Sequence, residues 1–189
     1  LETADVEQGL NNQVTFGVVR NFGGRSVTGI AVDPNDPDRV AVTVGNYGNS
    51  DYVYYSNNAT SASPTFVSKQ GNLPEFPVYA VTFDKGTASN LIIGTEYGIF
   101  STDNINAASP SWTEENTGFP RVPVFTLVQY RTDKSSDDAA NPLYEGDIFA
   151  GTHGRGAFLA SDLKTARPVS VEEEEDFEFA DAQKQLSLF

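Results

Sequence analysis

Short apolar runs, not a helical stripe, organise this chain. Three of them superpose: Val27 to Asp33, Val78 to Asp84 and Val124 to Tyr130. Each leads through a turn into a second apolar run, Arg39 to Val44, Asn90 to Ile93 and Asp147 to Ala150. A Gly-bearing corner closes that run in every unit, from Gly45 to Gly48, Gly94 to Gly98 and Gly151 to Gly156. A third run then mixes aromatic and small residues: Tyr52 to Ser56, Ile99 to Ser101, Ala157 to Ser161. The first two units continue through a Ser/Asn/Asp turn into Thr65-Phe66-Val67 and Ser111-Trp112-Thr113, whereas the third has no counterpart. The aromatic markers Phe16, Phe66 and Trp112 are 50 and 46 residues apart, a period typical of stacked sheets or propeller blades.

Two nearly all-apolar inner strands flanked by more polar outer ones predict blades whose inner strands are covered on both faces by their neighbours. No stretch of the repeated region sustains a helical period, and Gly and Pro interrupt it too often for ordinary helices. The predicted fold is therefore all-β, a partial β-propeller of about three four-stranded antiparallel blades. Residues 1–12 read as a leader or loop from a preceding blade, and residues 13–163 as the C-terminal blades. Gln13 to Arg20 align with Thr65 to Gln70 and so predict the outer strand of that preceding blade. Arg131 to Gly146, rich in Asp, Ser and Asn, reads as a surface loop inserted between the first two strands of the last blade. Residues 164–185 predict an acidic extended linker, and 186–189 the start of a further domain.

Charge narrows the class of partner. The net charge is −14, and Glu172 to Asp181 contribute seven negative charges with no positive one among them, the composition of a self-repelling solvated tail. An acidic chain without a basic face is ill suited to nucleic acid, whose binding rests on neutralising phosphates. There is no Cys, so neither disulfides nor thiolate metal sites are available. No run approaches the roughly 18 apolar residues of a membrane helix. Leu1 opens the chain and there is no Met, which reads as a piece of a longer polypeptide; the lack of a leader peptide then says nothing about export. The remaining blades of that polypeptide are the expected partners of this one.

Ile30 to Val40, through Asp33-Pro34-Asn35-Asp36-Pro37, resembles the inner strand, turn and second strand of BNR/Asp-box propellers, which include sortilin-type, sialidase and xyloglucanase-like domains. Ser101-Thr102-Asp103-Asn104 followed by Ser111-Trp112 is similar to the Asp-box, Ser-x-Asp-x-Gly-x-Thr-Trp, although the Gly is absent and the turn longer. Its counterpart Ser56-Asn57-Asn58 lacks the Asp. The physical content of such a box is a polar side chain holding backbone amides in a hairpin turn, so Asp33, Asp84 and Asp103 read as structural turn residues. Gln185 to Phe189, after the acidic spacer, resembles the lead into the sorting domain of type IX secretion cargo from Bacteroidota. That resemblance implies a secreted or surface-attached protein and the type IX secretion and attachment machinery as a partner.

Candidate chemistry is sparse. No nucleophile elbow, phosphate loop or EF-hand loop is present, and no cofactor or metal site is expected. His153 is the sole histidine and cannot by itself build a triad or a zinc site. Asp33 and Asp84 close equivalent strands and Glu96 lies in a corner, an arrangement open to the carboxylate pair a glycosidase needs. Aromatics on a rim can instead stack on sugar rings or seat a peptide. On that basis Tyr47, Tyr97, Glu96, His153 and Arg155 are the candidate ligand-binding residues, with no catalytic residue assigned. The reading is a binding or adhesion module for glycan or protein, with a polysaccharide-hydrolase fragment and a structural spacer in a large adhesin as the alternatives.

Overall fold

A computed structural model describes residues 17–85, 87, 89–130 and 146–160. They form three antiparallel sheets. The first comprises β1 (Val27–Asp33), β2 (Asp36–Val44), β3 (Val53–Ser56) and β4 (Val67–Ser68) in that spatial order. The second repeats it with β5 (Val78–Phe83), β6 (Leu91–Thr95), β7 (Gly98–Thr102) and β8 (Thr113–Glu114). The third has three strands among the described residues, β9 (Val124–Gln129), β10 (Ile148–Thr152) and β11 (Gly156–Ala160). The leading strands β1, β5 and β9 lie next to one another, so the sheets fan out from a common inner edge as the blades of a partial propeller.

Two apolar layers hold the blades together. Between the first and second, Ala41, Tyr52 and Tyr55 meet Val78, Phe83 and Leu91, with Trp112 at the outer end. Between the second and third, Ala80, Ile92 and Ile99 meet Val124, Leu127 and Ile148. Complete burial of an aliphatic or aromatic side chain stabilises by roughly 1.5–3 kcal/mol, so these layers are the principal source of cohesion. Directed bonds add to them at the outer edge. Asn72 clamps Trp112, accepting from its backbone N–H at 2.6 Å and donating to its carbonyl at 3.1 Å, while the indole Nε1 donates to the Lys69 carbonyl at 3.0 Å.

All three inner strands carry a β-bulge at the same place. Val27 pairs with Val44 and Gly29 with Thr43; Val78 pairs with Thr95 and Ala80 with Gly94; Val124 pairs with Thr152 and Thr126 with Gly151. The residue between each two pairs, Thr28, Tyr79 or Phe125, is left out of the ladder. A bulge bends its strand and re-aims one side chain. The simple alternation is broken by it, and apolar residues three apart come to share a face: Val78, Val81 and Phe83 all point towards the first blade.

One expectation fails over its described half. Residues 17–20 form no strand, and Val18 is 89% exposed. Residues 13–16, most of the inserted loop, the acidic stretch and the closing segment lie outside the described residues.

Candidate functional site

The corners following β2, β6 and β10 are tied to the base of the inner strand by one repeated bond. Gly45 N–H donates to the Ser26 carbonyl, Glu96 N–H to Pro77 and His153 N–H to Pro123, at 2.9–3.1 Å. Each acceptor immediately precedes β1, β5 or β9, so Gly45, Glu96 and His153 occupy one structural position. The bulge aims Thr28, Tyr79 and Phe125 at that position. In the first blade Thr28 packs over Gly45 so closely that an added Cβ would lie 3.0 Å from the Thr28 methyl and oblige it to shift. In the second, the Tyr79 hydroxyl donates to Glu96 Oε2 at 2.5 Å. In the third, the Phe125 ring meets the His153 imidazole edge-on at 5.6 Å.

These pairs join across the blades. Tyr79 and Phe125 contact edge-to-face at 4.9 Å between centroids, within the range such pairs favour. The Thr28 hydroxyl donates to the carbonyl of Val78 in the next blade. Tyr47, from the corner of the first blade, reaches over to the Glu96 carboxylate and the Tyr79 hydroxyl. The outcome is a continuous strip, Tyr47, Glu96, Tyr79, Phe125, His153, across three blades at one rim. Tyr47 is 66% and Phe125 49% exposed, so two aromatic faces are open to a ligand.

Burial, then the hydrogen bond to the Glu96 carboxylate, raises the Tyr79 phenol above its ordinary range, and the same two causes raise Tyr47. Both phenols stay protonated, and the Tyr79 hydroxyl holds Glu96 in place. The strip offers aromatic faces, a fixed carboxylate acceptor and an imidazole, a combination suited to stacking and to hydroxyl recognition.

Of the residues singled out from sequence, Tyr47, Glu96 and His153 come together in this strip. Tyr97 packs on Phe76 at 5.7 Å, close to Tyr47 but without a contact to Glu96, Tyr79 or Phe125 among those described. Arg155 is exposed on the last corner. Tyr79 and Phe125 complete the strip; each reads in the sequence as one more member of an apolar run.

The turn aspartates occupy the far end of the strands. Asp33 Oδ1 accepts from Asn35 N–H at 2.9 Å, and Oδ2 pairs with Arg39 at 3.1 Å. Asp84 accepts from the side chains of Asn90 at 3.3 Å and Gln129 at 3.1 Å. In the Asp-box-like turn, Thr102 and Asn104 side chains hold the backbone amides of Asn104 and Asn106, with Asp103 exposed at its tip. Asn58 does this in the first blade, accepting from Thr65 N–H at 2.9 Å. Six residues of extended strand separate Asp84 from the start of β5, a span of about 20 Å. The arrangement that the sequence left open, Asp33 or Asp84 facing Glu96 across a sugar, does not form: they lie at opposite rims, and both aspartates take the turn contacts described.

No protein-family model and no curated protein matches the chain. Among solved structures it is similar to the GH74 xyloglucanase from Xanthomonas campestris, with a TM-score of 0.48 and 17% identity over 72% of this chain and 22% of that one. It is also similar to the GH74 enzyme from Niastella koreensis, with a TM-score of 0.40 and 16% identity over 76% of this chain and 22% of that one. The chain thus spans about a fifth of the length of either structure. Among the described residues no helix is long and apolar enough to cross a membrane.

Proposed function

We propose that this chain is part of a secreted or cell-surface propeller that binds glycan along the corner rim, with further blades of the same polypeptide covering its two open faces. The observation that carries the reading is the thrice-repeated bulge, which aims Tyr79 and Phe125 at the rim beside Tyr47, Glu96 and His153. Exposed aromatic faces stack on sugar rings, and the carboxylate accepts from sugar hydroxyls.

Hydrolysis would require a second carboxylate about 5 to 9.5 Å from Glu96. Asp33 and Asp84, at the other rim, do not supply that group to Glu96. Binding is the preferred reading over a hydrolase fragment because the rim presents two exposed aromatic faces beside a carboxylate already engaged by the Tyr79 phenol. The acidic stretch and the Gln185 to Phe189 segment support type IX export. Localisation is checked by fractionating producing cells: the protein is expected in the medium or outer-membrane fraction, and retention in the cytoplasm would contradict export.

The functional test is a glycan array together with a reducing-sugar assay on plant and microbial polysaccharides. Retention of a glycan class without sugar release, lost in a Tyr47→Ala/Phe125→Ala variant, is the expected result. Sugar release would favour the hydrolase. Peptide or protein ligands bound through the same residues would turn the module to adhesion, and a rim that binds nothing would leave only the spacer.

A further inference from the structure

At the centre of the rim strip stands a carboxylate without a cationic partner. Gly45, Glu96 and His153 share one structural position on the three blades, and only the second blade fills it with an acid. Among the described residues Glu96 forms no ion pair. Its Oε2 is taken up by the Tyr79 hydroxyl, a neutral donor. Oε1 makes no hydrogen bond among the described residues, yet it is not shut off from solvent. The negative charge is thus left uncompensated. After burial and the hydrogen bond to Glu96, that charge itself adds to the rise of both the Tyr79 and the Tyr47 phenol.

Aromatic rings flank this carboxylate. Tyr47 reaches it from the first blade, and Phe125, edge-to-face with Tyr79 at 4.9 Å, continues the surface towards the third. Tyr47 and Phe125 are both exposed. A pyranose stacked by its C–H face on either ring presents its substituents at the ring edge, on the side where the carboxylate lies. The charge decides which substituent fits best. A hydroxyl gives Oε1 an ordinary hydrogen bond, whereas an ammonium gives a charge-assisted one, roughly twice as strong. The ammonium gains further from the negative faces of the adjoining rings. A carboxylate or sulfate would be repelled by Glu96 and by a chain of net charge −14.

We infer that the rim selects glycans bearing free amino groups, with the ammonium of a 2-amino-2-deoxy sugar on Glu96 Oε1 and the sugar ring against Tyr47 or Phe125. This rests on the reading of the rim as a glycan site and narrows it to one class of sugar. N-acetylated sugars keep an N–H but lose the charge, and neutral sugars offer hydroxyls alone, so both are the weaker ligands. The seat is particular to the second blade, because Gly45 brings no side chain to the matching position of the first and His153 brings an imidazole to that of the third.

The experiment is calorimetric titration of the full chain with three β-1,4-linked hexasaccharides that differ only in the substituent on the second carbon: the glucosamine hexamer, the N-acetylglucosamine hexamer and cellohexaose. Mildly acidic buffer keeps the sugar amine charged, and trilysine at the same moderate salt measures any general attraction of cations to the acidic chain. The glucosamine hexamer is expected to bind about tenfold or more tighter than the other two sugars, the gain of one charge-assisted hydrogen bond, and tighter than trilysine. Glu96→Gln should bring it to within about twofold of cellohexaose, and Tyr47→Ala/Phe125→Ala should weaken all three sugars. The wild-type comparison stands even where a variant fails to fold. Equal affinity for the three hexamers, lost in Tyr47→Ala/Phe125→Ala, would overturn the amine selectivity and leave glycan binding in place. Binding of none of them would overturn both. Trilysine bound as tightly as the glucosamine hexamer, or a preference for the amine that persists in Glu96→Gln, would put the amine elsewhere on the acidic surface and overturn the inference.

Discussion

The second blade and its two neighbours use the same residue pattern under opposite conditions. In the second, Val81 and Phe83 are 8% and 1% exposed; at the matching positions of the first, Ile30 and Val32 are 64% and 52% exposed. The third blade shows the mirror case, with Val128 and Phe149 open on the face that a following blade would cover. An apolar residue on an inner strand thus gains its stabilising effect from the neighbour that covers it. The strand that carries it supplies only its position.

That contrast is sharpest in a pair of truncations. Phe83→Ala should destabilise by about 3–5 kcal/mol, the usual cost of emptying a large buried aromatic site. Val32→Ala, in the corresponding slot, should change stability by about 0.5 kcal/mol or less, as for an exposed side chain. Urea unfolding of both variants measures the difference. Equal losses would mean that the first blade's open face is covered in solution, and the comparison of covered with uncovered faces would have to be withdrawn for this chain.

A subtler pair tests close approach. Gly94 and Gly151 hold equivalent positions, each one residue before the end of the second strand. A Cβ at Gly94 would lie 2.7 Å from the Val124 carbonyl oxygen and 2.8 Å from a Val124 methyl, both in the next blade. At Gly151 the nearest atom is Cβ of Thr126, 3.3 Å away and within the same sheet. Gly94→Ala should cost about 1–3 kcal/mol through overpacking. Gly151→Ala should cost less, within about 1 kcal/mol of neutral, because its one tight contact asks only a few tenths of an ångström of the edge of an exposed strand and is partly offset by the stiffer unfolded chain. Thermal unfolding compares them, and a costly Gly151→Ala would point to a partner already seated on the third blade.

Blade number, strand sequence and the all-β class were legible because inner strands covered on both faces show as continuous apolar runs. The site was less so. Tyr79 and Phe125 stand inside those runs, and only the bulge turns them to the rim. Its trace is the spacing Val27/Ile30, Val78/Val81 and Val124/Leu127, three where an unbroken strand has two or four. Over 17–20, the described part of the expected outer strand, resemblance to Thr65 to Gln70 misled because a strand's composition does not by itself pair it into a sheet.

The smallest effect distinguishes the two bulge residues by titration. Tyr79 is raised above its ordinary value chiefly by burial and then by the Glu96 hydrogen bond, so its neutral form is favoured in the folded chain. The associated stability is fully present below the unfolded phenol value of about 10, and it is lost as pH rises from there through the folded value. Lys69 has the opposite sign. Burial lowers its ammonium, so stability increases with pH between its depressed value and the ordinary lysine range. A wild-type alkaline curve contains both slopes, whereas Tyr79→Phe, which installs the third blade's own residue in the second blade's bulge, removes only the phenol. Unfolding followed from pH 8 to 11 should therefore decline less steeply above pH 10 in the variant, while Phe125→Leu should keep the wild-type slope. Identical slopes for wild type and Tyr79→Phe would show that neither burial nor the Glu96 hydrogen bond keeps the phenol neutral in the folded chain. The aromatic strip would then lack its central link.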